Sequence, residues 1–416
     1  MFKKVIECKS LPLEIKNGEE YIILQQNPNR YTHSYFKYPC KFIPEIPRWF
    51  LKKYISKNST ILDPFSGSGT TLLEAFINGY DSVGIEINKL SKLLIEVKTT
   101  ILSKKDIEII ENFYHKIDYN IKYTSPLINN LNHWFDEDNL KNLLIIKSNI
   151  NKIQKKSIQN FLNICFISII RKSSKADNVS PKPYVSTKIS KKKVNVCAEF
   201  EKTITIYLKN NIDLSNIDTK LGNVDILLGD ATQFTLDKKF DGAITSPPYI
   251  NAFDYVRILR LETLWLDLST EEELKKSKKF HVGTENITLK EYDDYSILGE
   301  SELLKNYYNQ LIDIDKKRAV VLVKFFNDMK KNLILVRNHL KSNKVYSIVI
   351  GNSRVRNIEI ESWKVISEIA QYNGFKEELY FSYQIRNHYL RIDRKNKGGK
   401  INSDYVLILR KDDGTE

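Results

Sequence analysis

Short apolar runs and helically spaced apolar positions alternate along this chain. Seven runs are bounded by turn formers, and each predicts a strand. They are NSTILD (58–63), DSVGIEIN (81–88), VDILLGD (224–230), FDGAITSPPY (240–249), KVYSIVIGN (344–352), EELYFSYQI (377–385) and DYVLILR (404–410). LLEAFIN (72–78) reads as a helix that Gly79 is placed to end. Strand, Gly-rich turn, helix and strand therefore follow one another in roughly 30 residues, a βαβ unit with parallel strands and a right-handed crossover. Apolar residues recur at helical spacing in DIEIIENFYHKI, DNLKNLLIIKSNI and SIQNFLNICFISII, so 100–215 predicts a mostly helical insertion. A second, more polar insertion covers 266–315, and a helix is expected around 315–341. Residues 31–50 hold three prolines and predict an ordered loop followed by a short helix, while 1–30 are weakly patterned. The expected architecture is an α/β, doubly wound Rossmann-like sheet of seven strands. It is built from 1–99, 216–265 and 316–416 and interrupted by the two insertions.

Composition narrows the class. With 416 residues, 42% hydrophobic and 11% aromatic, the chain can bury a sizeable core, which excludes disorder throughout. No apolar run reaches 18 residues, so no membrane span is expected, and the first 20 residues hold no apolar stretch of signal length. Cys8, Cys40, Cys165 and Cys197 are scattered without a CxxC, and the six histidines show no HxxxH. Neither a disulfide framework nor a metal site is expected, and a reducing cytoplasm fits. The net charge of +14 suggests a polyanionic partner, or only a Lys-rich composition. Two loops concentrate it. Residues 171–193 hold eight Lys/Arg and one Asp, a local charge of +7, and 386–400 hold six and one, a local charge of +5.

The first chemical motif is Asp63-Pro64-Phe65-Ser66-Gly67-Ser68-Gly69-Thr70-Thr71. Glycines after a strand let backbone approach a ligand, and the helix that follows offers free N–H groups. A phosphate-binding P-loop would need a Lys after Gly69, and a dinucleotide fingerprint would need a third Gly where Leu72 stands. Asp63 at the strand end would also repel a pyrophosphate. It suits a cation, and S-adenosylmethionine carries an ammonium and a sulfonium. Glu86, at the end of the second strand, occupies the usual place of an acid that binds ribose hydroxyls.

The second motif is Thr245-Ser246-Pro247-Pro248-Tyr249. Two prolines fix φ and remove two donors, which frees carbonyls to face a ligand. Ser246 adds a hydroxyl and Tyr249 a flat ring. The set suits a planar base with an exocyclic amine, held by oxygens and stacked on the ring.

Together these residues resemble the S-adenosylmethionine-dependent DNA amino-methyltransferases, in which Ser-Pro-Pro-Tyr is associated mainly with cytosine N4 and Asp- or Asn-Pro-Pro-Tyr mainly with adenine N6. The resemblance implies a seven-stranded sheet whose last two strands form a hairpin. It implies that Asp63, Pro64, Phe65, Gly67, Gly69, Thr70 and Thr71, then Glu86 and Ile87, then Asp230 and Ala231, contact the cofactor. HSYFKYPCKFIP (33–44) is similar to the segment that closes over it, with Lys41, Phe42 and Pro44 at the matching positions. Ser246, Pro247, Pro248 and Tyr249 match the catalytic motif, and VIGNSRV (349–355) is similar to a further segment of the family. The order departs from the common arrangements: the cofactor motif comes first, and about 115 residues separate Glu86 from the third motif. A recognition domain therefore does not carry over by position, and 100–215 is the first candidate, 266–315 the second.

The implied reaction is transfer of a methyl group to cytosine N4 in double-stranded DNA, after the base leaves the stack, in a restriction–modification or host-protection setting with a cognate endonuclease. Adenine-N6 methylation, methylation of an RNA base and a catalytically dead nucleic-acid-binding fold are the alternatives. Expected nucleic-acid contacts are Arg171, Lys172, Lys175, Lys182, Lys191, Lys192 and Lys193 in the first loop and Arg386, Arg391 and Arg394 in the second. Pro39-Cys40 resembles the nucleophilic pair of cytosine-C5 methyltransferases, but it precedes the cofactor motif, and a Pro-Pro-Tyr stands in the catalytic place.

Overall fold

A computed structural model describes residues 5–25, 27–188, 190–250, 254–289, 292–385 and 402–414. Its strands are β1 (Val5–Cys8), β2 (Glu20–Ile23), β3 (Thr60–Asp63), β4 (Asp81–Glu86), β5 (Val224–Leu228), β6 (Gly242–Thr245), β7 (Val345–Gly351), β8 (Ser353–Val355), β9 (Ile358–Ile360), β10 (Phe375–Gln384) and β11 (Ser403–Lys411). Nine of them form one sheet in the order β1-β2-β10-β11-β7-β6-β3-β4-β5. All seven strands expected from the sequence are in it, and β11 is antiparallel to both neighbours, β10 and β7. The remaining pairs are parallel.

The sheet is wider than the expected seven strands. β1 and β2 come from the weakly patterned first 30 residues and add to β10. Four residues are too few to display a period, and β2 is recognisable only through its contacts. Tyr21 and Ile23 are buried against α1 (Glu45–Tyr54), whereas Glu20 and Ile22 are partly exposed. A separate hairpin, β8–β9, turns at Arg356 and Asn357, both at positive φ.

The apolar runs work because consecutive side chains enter different cores. Ile61, Ile244, Val349, Val406 and Ile408 pack with α1. Leu62, Ala243, Ile348, Leu407 and Leu409 face the opposite way, into the layer formed by α12 (Glu302–Ile312), α13 (Lys316–His339) and α14 (Ser362–Tyr372). Two further helices flank the crossovers at β4: α2 (Thr70–Ile77) precedes it and α3 (Lys89–Lys98) follows it.

Residues 100–215 are helical as expected: α4 (Lys104–Phe113), the short α5 (Leu131–Trp134), α6 (Glu137–Asn151), α7 (Lys156–Ser173) and α8 (Val196–Ser215). They share one hydrophobic cluster with Leu90, Leu94 and Val97 of α3 and with the segment after β6. That segment comprises α9 (Tyr255–Ile258) and α10 (Arg260–Trp265), and α11 (Glu271–Ser277) follows. The insertion is thus packed onto the helix that follows Glu86 and onto the chain that follows Tyr249. α7 runs to Ser173, so Arg171 and Lys172 belong to its last turn, not to a loop. The basic segment 386–400 lies outside the described residues, and Arg386, Arg391 and Arg394 with it. No helix among the described residues is long and apolar enough to cross a membrane.

Candidate active site

β3, β4 and β6 end side by side, and each delivers one predicted motif to the same edge of the sheet. From β3 the chain enters the turn before α2. Gly67 and Gly69 there adopt φ of +50° and +77°. A Cβ on Gly69 would lie 2.6 Å from Ile95, so this position is restricted both by backbone conformation and by space. Below the turn, the buried Lys98 donates from Nζ to the Ser68 carbonyl at 2.8 Å. Burial holds its ammonium well below the usual lysine range.

Glu86 closes β4. Its Oε2 accepts from the Gly67 N–H at 2.7 Å and its Oε1 from the Asn88 N–H at 2.8 Å. Burial pushes this carboxyl up to about 7, against the pull of those amides. Gly84, two residues earlier, is required by close packing: a Cβ would lie 2.5 Å from Leu72 of α2 and from Ser66 Oγ.

The segment 33–44 is anchored to α2. His33 Nε2 lies 2.9 Å from Glu74 Oε1, and Arg48 Nε donates to Glu74 Oε2 at 3.0 Å. These contacts fix the loop that carries Lys41, whose Nζ donates to the His33 carbonyl at 2.9 Å.

Between these pieces lies a cleft of about 830 Å³, open to solvent. Lys41, Phe42, Pro64, Phe65, Gly67, Thr70, Glu86, Ile87, Asp230, Ala231, Ser246 and Pro248 line it. Expected residues from five separated segments thus share one wall. Asp230 Oδ1 is engaged by the N–H and hydroxyl of Thr232, both at 2.8 Å.

Other expected residues sit elsewhere. Asp63 does not face the cleft as the sequence suggested. Its buried Oδ1 accepts from Thr245 Oγ1 at 2.6 Å and from the Phe65 N–H at 3.2 Å, beneath the turn. Burial pushes its carboxyl up to about 6. Gly69 and Thr71 support the turn from α2, and Pro44 caps the start of α1. Pro247 is buried, and Tyr249 points its hydroxyl at Asp404 Oδ1, 2.7 Å away.

In the first basic segment, Arg171 donates to the carbonyls of Asp177, Ser180 and Pro181, and Lys191 to those of Arg171 and Ala176. These two cations organise their own loop. Lys172 pairs with Glu199, Lys193 with Asp138, and Lys175 donates to the Asn132 carbonyl. Lys182 is partly exposed and Lys192 exposed.

The sequence reading missed Tyr38, Asn88, Tyr255, Phe280 and His281 in the cleft wall. Tyr38 lay within the quoted segment 33–44, and it stacks at 6.1 Å on Tyr255, six residues past Tyr249. The others carry no local signal. Cys40 also lines the cleft, on the segment that precedes the cofactor turn.

The donor set fits S-adenosylmethionine. Two acids, Glu86 and Asp230, give the cleft an anionic lining suited to a cation, Lys41 offers a partner for a carboxylate, and Tyr38, Phe42 and Phe65 give flat apolar surface.

Comparison with known proteins agrees. Residues 15–96 match the DNA methylase family model. The chain is 27% identical to the Type II methyltransferase M.MvaI of Kocuria varians, over 94% of this chain and 90% of the relative. It is 24% identical to M.AvaI of a Nostoc species, over 91% and 86%, and 29% identical to M.BsoBI of Geobacillus stearothermophilus, over 67% and 61%. The cleft, the two strand-end turns and these matches make the chain similar, over most of its length, to S-adenosylmethionine-dependent DNA amino-methyltransferases.

Proposed function

We propose that this protein methylates the N4 amino group of cytosine at a specific site in double-stranded DNA. The observation that carries the proposal is the Ser246–Tyr249 turn at the end of β6, which contributes Ser246 and Pro248 to the wall of the cleft. S-adenosylmethionine, when bound, supplies a methyl group activated by its sulfonium. The residues of this chain hold the donor and present the acceptor. Glu86 would accept from the donor's ribose hydroxyls, Lys41 would pair with the carboxylate of its methionine end, and Asp230 would lie toward its adenine.

Cytosine N4 is a poor nucleophile because its lone pair is delocalised into the ring. The Ser246 hydroxyl and the carbonyls of Ser246 and Pro247 accept from its two hydrogens, which favours a pyramidal nitrogen. Positioning of this kind supplies most of what a transfer to a strong electrophile needs. The base reaches the turn by leaving the duplex, at a cost of a few kcal/mol. Stacking on Tyr249 returns roughly 1–3 kcal/mol of that cost. The Type II relatives support a restriction–modification setting, in which an endonuclease would cut the same site when it is unmethylated.

Transfer of labelled methyl groups to DNA and to RNA, followed by nucleoside mass spectrometry, tests the reading. N4-methylcytosine in DNA is expected. N6-methyladenine would replace the base assignment and keep the rest, and label in RNA alone would overturn the substrate.

A further inference from the structure

Asp404 is 7% exposed and belongs to none of the motifs, yet it sits beside the catalytic turn. The topology explains this. β11 is the reversed strand of the sheet, so it starts where the parallel strands end, and Asp404 pairs with Gly351, the last residue of β7. One carboxylate oxygen, Oδ1, accepts from the Tyr249 hydroxyl at 2.7 Å. The other, Oδ2, accepts from the Tyr383 hydroxyl at 3.0 Å. Tyr383 is 2% exposed, lies opposite Asp404 on β10 and packs into the core beneath the sheet. Among the described residues no Lys or Arg pairs with Asp404. A buried acid whose two oxygens are divided between two phenols, one in the sheet and one in the catalytic turn, links the turn to the sheet.

We propose that Asp404 is a positioning residue for the reaction: it holds the Tyr249 hydroxyl, with Tyr383 as its own anchor, so that the Tyr249 ring is set in advance to receive the extruded base. This rests on the proposed stacking role of Tyr249 and adds the residue that orients it. A ring free to rotate about χ1 and χ2 would have to be ordered by each incoming base. A ring already fixed has lost that freedom on folding.

The test compares Tyr249→Phe, Asp404→Ala, Asp404→Asn and the Tyr249→Phe/Asp404→Ala pair. Its readouts are cofactor affinity, kcat and KM for DNA, and the emission of 2-aminopurine at the target position. Tyr249→Phe and Asp404→Ala should each lower kcat/KM for DNA about tenfold, or 1.4 kcal/mol, with weaker 2-aminopurine emission and unchanged cofactor affinity. The pair should lose no more than the worse single variant, because both changes break one link. Asp404→Asn retains one acceptor oxygen and should fall between wild type and Asp404→Ala; it also stands in if the alanine variant fails to bind cofactor. Full kcat/KM and emission in Tyr249→Phe would overturn the proposal, and so would effects that multiply in the pair. If Tyr249→Ala itself methylates normally, the stacking reading fails as well. If Tyr249→Ala is inactive while Tyr249→Phe and Asp404→Asn are normal, stacking stands and the positioning role is lost.

Discussion

Two turns meet at the edge of this sheet, and they are built on opposite plans. The turn after β3 uses glycines at positive φ and presents backbone N–H groups, one of which is taken by Glu86. The turn after β6 uses two prolines, which have no N–H to present, and offers oxygens and a ring instead. One surface donates and the other accepts, as expected where one partner carries ribose hydroxyls and carboxylate and the other an amine. Thr245 Oγ1 joins them, donating to Asp63 Oδ1 and accepting from the Phe65 N–H. On the proposed function, the difference between neighbouring strand ends, more than the fold that both share, gives cofactor to one and base to the other.

The largest expected effect separates the two turns at the cofactor side. Glu86→Ala removes a buried acceptor and should weaken S-adenosylmethionine binding roughly 10–100-fold, in line with a hydrogen bond to a charged group. Calorimetry measures it directly. The pH dependence gives a second reading. The Glu86 carboxyl sits near 7 when the cleft holds no cation. A cation favours the ionised form, so affinity should rise as pH increases from about 6 to about 8, with protons released on binding. Glu86→Gln should flatten that rise, and a rise that persists in the variant would assign it to another group.

The base side answers differently. Tyr249→Ala should cut turnover by roughly 5–100-fold, the range that loss of stacking gives, while cofactor affinity stays within twofold. A matched loss of both would mean that the two turns are not separable in the way their construction suggests.

Thr245→Val tests the joint itself. It removes the donor to Asp63 Oδ1 and should cost roughly 1–3 kcal/mol, seen as a lower Tm. Asp63 also fixes the sign of a pH effect. Its folded value near 6 lies above the ordinary 3.8, so its contribution to stability is full below about 4 and is lost as pH rises through 6. Without the Thr245 hydroxyl the ionised form loses a partner, so the loss should still begin near pH 4 but extend to higher pH and grow larger. Thermal unfolding between pH 5 and 8 measures both.

How much of this was legible depends on where each signal is stored. The wall residues Glu86, Asp230 and Ser246 could be read because each follows an apolar strand, and the doubly wound sheet gathers strand ends. The orientation of Asp63 could not be read. A strand-end acid next to a glycine turn is compatible with facing a cation or a neighbouring strand, and the choice is made by Thr245, 182 residues away. Asp404 and Lys98 were hidden for the same reason, since each acts on a turn remote in sequence. β2 was hidden by length: its pattern emerges only when β10 and α1 flank it.

The smallest effect concerns the basic segment, where local charge overstated the number of cations free to meet a phosphate. Eight Lys/Arg between 171 and 193 suggested one continuous electropositive loop. Arg171 and Lys191 instead bind carbonyls of that loop, and Lys172 and Lys193 already face carboxylates. Lys192 is exposed, so its charge can be removed without structural cost. Lys192→Gln should therefore reduce the salt slope of DNA binding by up to about 0.9, one phosphate contact, and leave Tm unchanged. Lys191→Gln should do the reverse, lowering Tm by removing a cation from a cluster of carbonyls while altering the slope little. Equal slope changes for both lysines would show that charge alone, and not its placement in the loop, sets the affinity for DNA.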